Sequence, residues 1–270
     1  MTALDSSSAT AAARAARLAV RAGVQASDRS ETQAFLSVYA GLLPEVRAET
    51  FPRPARREAI REALATDHVL TAGQLRRYFG ADAADLASLA RVRHQVEPVH
   101  MRGTLVEAEF CALKVSEITM RPSVLAHAVG TAEVRLQLGI PPQAWKTAGG
   151  GDEDVEPDAV YTTPEGKRLA VEYDRGTYPS KKITYKLLSF GASFDGTLRA
   201  VPTPVVTRSG QPPERNRKQR VRDMVALQPE LARLRKTLHV MTVCWWQDET
   251  VIVDKAAARL SDGQGRAAGR

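Results

Sequence analysis

The sequence predicts a mixed α/β (α+β) chain, with a mainly helical first part followed by a mixed sheet flanked by helices. Three observations predict this. Apolar residues recur at helical spacing in the first half, and short apolar runs such as LAVEY and HVMTV have strand length in the second. Between them PPQAWKTAGGGDEDVEP is the sharpest shift in composition. With 43% hydrophobic residues in 270, there is enough apolar material for one large core or two modest ones.

The elements follow in chain order. Residues 1–30, rich in Ala, Ser and Arg, are expected to form a disordered or helical arm. Phe35, Leu36, Val38, Tyr39 and Leu42 then share a helical face up to Pro44, and a second helix runs from about Arg56 to Ala65. In HVLTAGQLRRYFG, Thr71 is an N-cap and Gly80 closes the helix. ADAADLASLARVRH is predicted as another short helix, the third of this group, and HQVEPVHMRGTLVEAEFCALK as two strands joined by a basic turn. Helix, helix, turn, helix and ribbon is the order of a winged helix, assigned to residues 31–121. Arg91 and Arg93 at the end of the third helix are placed to meet phosphate, and a packing or dimerisation role is the alternative.

RPSVLAHAVGTAEVRLQLGI is a further helix, with Thr131 placed to cap its second half, and it opens a second unit at residues 122–258. DAVYTTPEGKRLAVEYD has the pattern of a β-hairpin turning at PEGK. Asp158 and Glu172 then meet at one end of the sheet, with Asp174 pointing the same way because strand side chains repeat every second residue. Converging carboxylates suit Mg²⁺, with Mn²⁺ as a substitute, and Lys182 or Lys186 on the next helix could stabilise charge on a scissile phosphate. A solvated acidic rim and an ordinary polar helix face are the competing readings. PTPVVTRSG and LHVMTVCWW are read as further strands, with VIVD as the last partner. Trp245 and Trp246 face opposite ways on such a strand, which leaves one to stack on a base or cover an edge. Residues 259–270 are expected to be disordered.

These residues carry a family resemblance. PD, a hairpin and then E-x-D resembles the PD-(D/E)xK nuclease superfamily. More narrowly, LTAGQLRRYFG, the linking helix LAHAVGTAEVRLQLG and PDAVY…LAVEYDRGTY together resemble the replication-relaxation family of plasmid and mobile-element proteins. The resemblance implies a winged helix plus a PD-(D/E)xK-like domain, with Glu133 as the helix carboxylate, Asp158 as the PD aspartate and Glu172 as the acidic strand residue. Asp174 stands where the motif lysine belongs, so a catalytic lysine comes from the next helix, Lys186 before Lys182.

Charge agrees with such a role. Lys and Arg number 38 against 31 Asp and Glu, a net charge of +7, which points to polyanions. Arg208, Arg215, Arg217, Lys218, Arg220 and Arg222 are concentrated after a strand, where a phosphate backbone, most simply of duplex DNA, can run. No apolar run approaches the roughly 18 residues of a membrane span, and no secretory leader is expected. Cys111 and Cys244, each in an apolar run, fit buried thiols in a reducing cytoplasm. The five histidines share no metal spacing, and His127 reads as a satisfied core residue. A phosphate-binding P-loop and a serine-hydrolase elbow are both missing. Two readings stay open: a metal-dependent DNA endonuclease, active or vestigial, and a non-enzymatic DNA-binding regulator or recruitment factor. A homodimer and replication or mobilisation proteins are further partners to test.

Overall fold

A computed structural model describes residues 30–36, 52–99, 104–148, 156–203 and 217–254. Residues 30–36 are helical (α1). In chain order follow α2 (Arg53–Asp67), a short β1 (Leu70–Thr71) that was not expected, α3 (Ala72–Phe79), α4 (Ala83–Leu86), β2 (Ala90–Val96) and β3 (Thr104–Ala112). The α3 boundaries are set by local chemistry. Thr71 Oγ1 accepts from the Gln74 N–H while the Gln74 side chain accepts from the Thr71 N–H, and Gly80 closes the helix at φ 66°.

The third helix departs from expectation. α4 has only four residues, and Ala90–Val96 is a strand whose residues alternate between inside and outside. Arg91, Arg93 and Gln95 face solvent, while Val92, His94 and Val96 turn inward. That period of two defeats helical continuation. Arg91 and Arg93 therefore stand on the ribbon, both within ion-pair distance of Glu109 on the neighbouring strand, at 3.4 and 3.6 Å. The acids of α4 are used internally: Asp82 caps the helix, and Arg56 bonds both Asp82 and Asp85 at 2.7 Å.

After α5 (Val115–Ile118), the seventeen-residue α6 (Pro122–Leu138) runs through the middle of the molecule. Thr131 does not cap a second half; its hydroxyl bonds back to the His127 carbonyl within one continuous helix. A second sheet has the order β4–β5–β6–β7–β8, built from Trp145–Thr147, Ala159–Thr162, Arg168–Tyr173, Gly196–Pro202 and Leu238–Val243. Its first three strands are antiparallel, and β6–β7 and β7–β8 are parallel. The stretch PPQAWKTAGGGDEDVEP, where the composition shifts most sharply, thus contains β4. The parallel crossovers run through α7 (Ser180–Ser193), α8 (Arg217–Leu227) and a 3-10 helix at Pro229–Lys236.

One face of this sheet, with Leu169, Val171, Tyr173, Leu198 and Met241, packs on Leu125 and Val129 of α6. The same apolar cluster contains Val96, Val106 and Phe110 of the first sheet. Gly130 makes the close approach possible, because a Cβ there would lie 1.9 Å from the Tyr173 ring. The other face is covered by α7 and α8 through Ile183, Leu187, Val221 and Met224. Two further expectations need correction. The last strand, β9 (Thr250–Asp254), pairs with β3 in the first sheet. Trp245 and Trp246 lie in a turn, both buried and edge-to-face at 5.7 Å, so neither is open to a base.

Candidate functional site

The hairpin register puts Ala159 opposite Val171, so Asp158 and Glu172 are the next cross-strand pair, as the sequence implies. Alternation along β6 sends Val171 and Tyr173 toward α6 and Glu172 toward α7. There Lys186 Nζ donates to Glu172 Oε1 at 2.6 Å, with both side chains at most 5% exposed. Glu172 lies beside Arg199 of β7, whose guanidinium bonds Asp174 Oδ2 at 2.6 Å. Asp174 Oδ1 accepts from the Gly176 N–H, which pins the following loop. Asp158 sits at the sheet end, where Oδ2 accepts from the Tyr173 N–H at 2.6 Å and Oδ1 meets His127 Nε2 of α6 at 3.0 Å. The Tyr178 ring closes the group, with Lys182 Nζ at 5.0 Å, Lys186 Nζ at 5.1 Å and the Arg199 guanidinium at 6.0 Å from its centre.

The electrostatics follow from these contacts. Burial and the nearby Asp158 charge push the Glu172 carboxyl up to about 7 against the pull of Lys186. Burial alone would lower His127, but the charge and hydrogen bond of Asp158 outweigh it and raise the imidazole. Burial and the facing acids Glu172, Asp158 and Asp174 raise the Tyr178 phenol. Each acid is thus matched by a basic side chain from a different element: His127 from α6, Lys186 from α7 and Arg199 from β7.

The acids singled out for a metal are not gathered into one ligand set. Glu133 is buried elsewhere, holding Arg77 through both oxygens and bonded to Gln74 and Tyr78, so it joins α6 to α3. Asp158 and Asp174 have partners on both oxygens. Glu172 Oε2 is a buried oxygen with no hydrogen-bond partner among the described residues. Among the described residues no group of three or more His, Cys, Asp and Glu is placed to hold a metal ion. As they stand, the side chains fit internal ion pairing better than a Mg²⁺ centre.

Arg199 and Tyr178 went unread in the sequence, and His127 was expected only as a satisfied core residue. His127 stood inside the quoted LAHAV segment, and its helical position gave no hint of an acid partner. Arg199 had a signal, a lone charge in the apolar run TLRAV, since a fully buried guanidinium requires an acid. Tyr178 had none, because its place depends on the loop after β6.

The basic run divides. Arg208 and Arg215 lie outside the described residues. Arg217 lies against Gly176, where a Cβ would come within 0.9 Å of its Nη1, and Arg220 bonds Ser180 Oγ at 2.7 Å. These two tie the start of α8 to the loop beside the acidic group. Lys218 and Arg222 both bond Glu31 of α1. Arg175, also in this loop, donates to the carbonyls of Ser123 and Glu97, fastening the second sheet to the first.

No helix among the described residues is long and apolar enough to cross a membrane. No curated protein and no solved structure matches the chain. The family model for replication-relaxation matches residues 111–193, from the end of β3 through α6, the hairpin and α7. Over that segment, which holds PDAVY, LAVEYDRGTY and Lys186, the likeness to the replication-relaxation family is borne out.

Proposed function

We propose that this chain is a DNA-binding protein of a plasmid or mobile element, acting in replication or relaxation. Its α/β unit holds a nuclease-like group of residues kept shut by the chain's own cations. The observation that carries the reading is the buried Lys186–Glu172 pair at 2.6 Å, opposite Asp158, inside the family-matched segment. The residue types of a phosphodiesterase are together there, but His127, Lys186 and Arg199 already neutralise the acids. Beside this group, Lys181, Lys182, Arg217 and Arg220 crowd the loop at Gly176–Ser180 and supply the positive surface that a phosphate backbone requires. The unit made by α2–α4 and the β1–β3–β2 ribbon is read as a winged helix. With α4 this short, its contribution to DNA is the exposed Arg91 and Arg93 on the wing rather than a long recognition helix.

One observation favours the second reading, a Mg²⁺-dependent endonuclease. The unpartnered Glu172 Oε2 next to Asp158 is a hard oxygen suited to Mg²⁺ or Mn²⁺. When bound, such an ion would activate water for attack on a phosphodiester. Incubation with supercoiled, linear and single-stranded DNA in Mg²⁺, Mn²⁺ or EDTA separates the readings. The first predicts duplex binding under all three conditions and intact DNA throughout. Metal-dependent cleavage lost in Asp158→Asn would reverse the order of the two.

A further inference from the structure

We propose that Lys218 and Arg222 form a phosphodiester-binding site that the chain's own Glu31 occupies, so that nucleic acid and Glu31 compete for the same two cations. The inference rests on the DNA-binding reading above and specifies how that surface is held in the free protein.

The geometry is that of an anion site. Lys218 and Arg222 stand four residues apart on α8, hence on one helix face, and both converge on a single oxygen. Glu31 Oε2 accepts from Lys218 Nζ at 2.8 Å and from Arg222 Nη2 at 2.7 Å. A phosphate oxygen takes the same paired, charge-assisted donors. These two hydrogen bonds hold the Glu31 carboxyl at about 2, well below the usual carboxylate range.

Helix α1 does not depend on this contact for its place. Thr32 Oγ1 bonds His239 Nε2 at 2.7 Å, Phe35 stacks on the His239 ring at 5.1 Å, and Leu36 is wholly buried in the main core. Glu31 itself is at the surface. Its side chain is 45% exposed and Arg222 43%, whereas Lys218 beneath them is 8% exposed. Rotating Glu31 into solvent therefore releases this carboxylate from both cations without moving α1. The pair lies on the same helix as Arg217 and Arg220, on the flank of α8 that faces α1.

A surface carboxylate that pairs with two cations for stability alone would behave differently when neutralised. The test uses the full chain and a labelled DNA duplex, with binding followed by fluorescence anisotropy over a range of NaCl and melting followed in parallel. Glu31→Gln and Glu31→Ala should tighten binding by about three- to tenfold at low salt, with a steeper loss on adding salt, because more phosphate contacts form. The pair Lys218→Gln with Arg222→Gln should weaken binding and abolish the gain from Glu31→Gln. Wild-type-like affinity and slope in both Glu31 variants, with only a lower melting temperature, would overturn the proposal and leave a structural ion pair. Wild-type-like binding by the Lys218 and Arg222 pair would overturn it as well. Absence of duplex binding in every protein would remove the DNA-binding reading along with it, whereas binding by all with no gain removes this proposal only.

Discussion

Glu172 and His127 are two of the groups through which stability is expected to depend on pH. Both hold a proton more tightly in the folded chain than when unfolded, Glu172 up to about 7 through burial and Asp158, His127 against burial through Asp158. Groups raised in this way contribute stability that is lost as pH rises, for Glu172 between its ordinary value and about 7, and for His127 from its ordinary value upward. Buried Glu133 and Asp67, also raised, act in the same direction. Carboxyls shifted down, such as Glu31 and Asp85, lose their contribution only below the ordinary carboxylate range. Melting temperature is therefore expected to fall between about pH 5 and pH 8, and to fall less in Glu172→Gln. Parallel profiles for the two proteins, measured by circular dichroism, would place the titrating group elsewhere. At this scale the sequence was informative wherever spacing alone decides position. Asp158 and Glu172 are brought opposite each other by a hairpin that turns at PEGK, and Lys186 follows from α7. His127 was illegible as a partner because it arrives from α6 through tertiary packing, whereas Arg199 of β7 showed only as a lone charge in an apolar run, with no sign of which acid it meets.

Helix α6 is the element that joins the two sheets. It is buried on nearly all sides, carries Val129 against one core and Leu136 against another, and supplies His127 to Asp158, Glu133 to Arg77 and Arg135 to Asp67. At Gly130 it approaches β6 closely, and the Tyr173 ring fills the space of a side chain. Gly130→Ala should gain helix propensity of about 1 kcal/mol but lose more, about 1–3 kcal/mol net, to overpacking against a fully buried ring. The expected result is a drop of several degrees in melting temperature. A variant as stable as the wild type would mean that the helix does not sit this close to β6. A glycine in mid-helix carries no mark of a contact; this one is visible only once the hairpin is folded beneath it. The same limit explains α4. Its acids and the alternating strand after it were both present in ADAADLASLARVRH, but the helical reading ran past Ala87 because Leu86, Leu89 and Val92 also fit a helical spacing.

For the whole molecule, the continuity of the core matters more than the division at residue 122. One apolar cluster takes in Val106 and Phe110 from the first sheet and Val171 and Leu198 from the second, and β9 returns from the second sheet to β3. A shared core and a returning strand bind the first sheet to the second, and the proposed DNA surface is the positive one at α8 and the loop at Gly176–Ser180. The alternation between an apolar first face and a covered second face was legible in LAVEY and HVMTV, whereas the return of VIVD to the first sheet was not, since an apolar strand carries no label for its partner. That DNA is held electrostatically on this surface is the central claim. Its most direct measurement is the salt dependence of duplex affinity in the wild type and in a variant with Arg215, Arg217, Lys218 and Arg220 neutralised together. The account predicts a steep loss of wild-type affinity with salt, and a log–log slope flatter by about 2 to 4 in the variant, one for each phosphate contact removed. An unchanged affinity and an unchanged slope in the neutralised variant would contradict it.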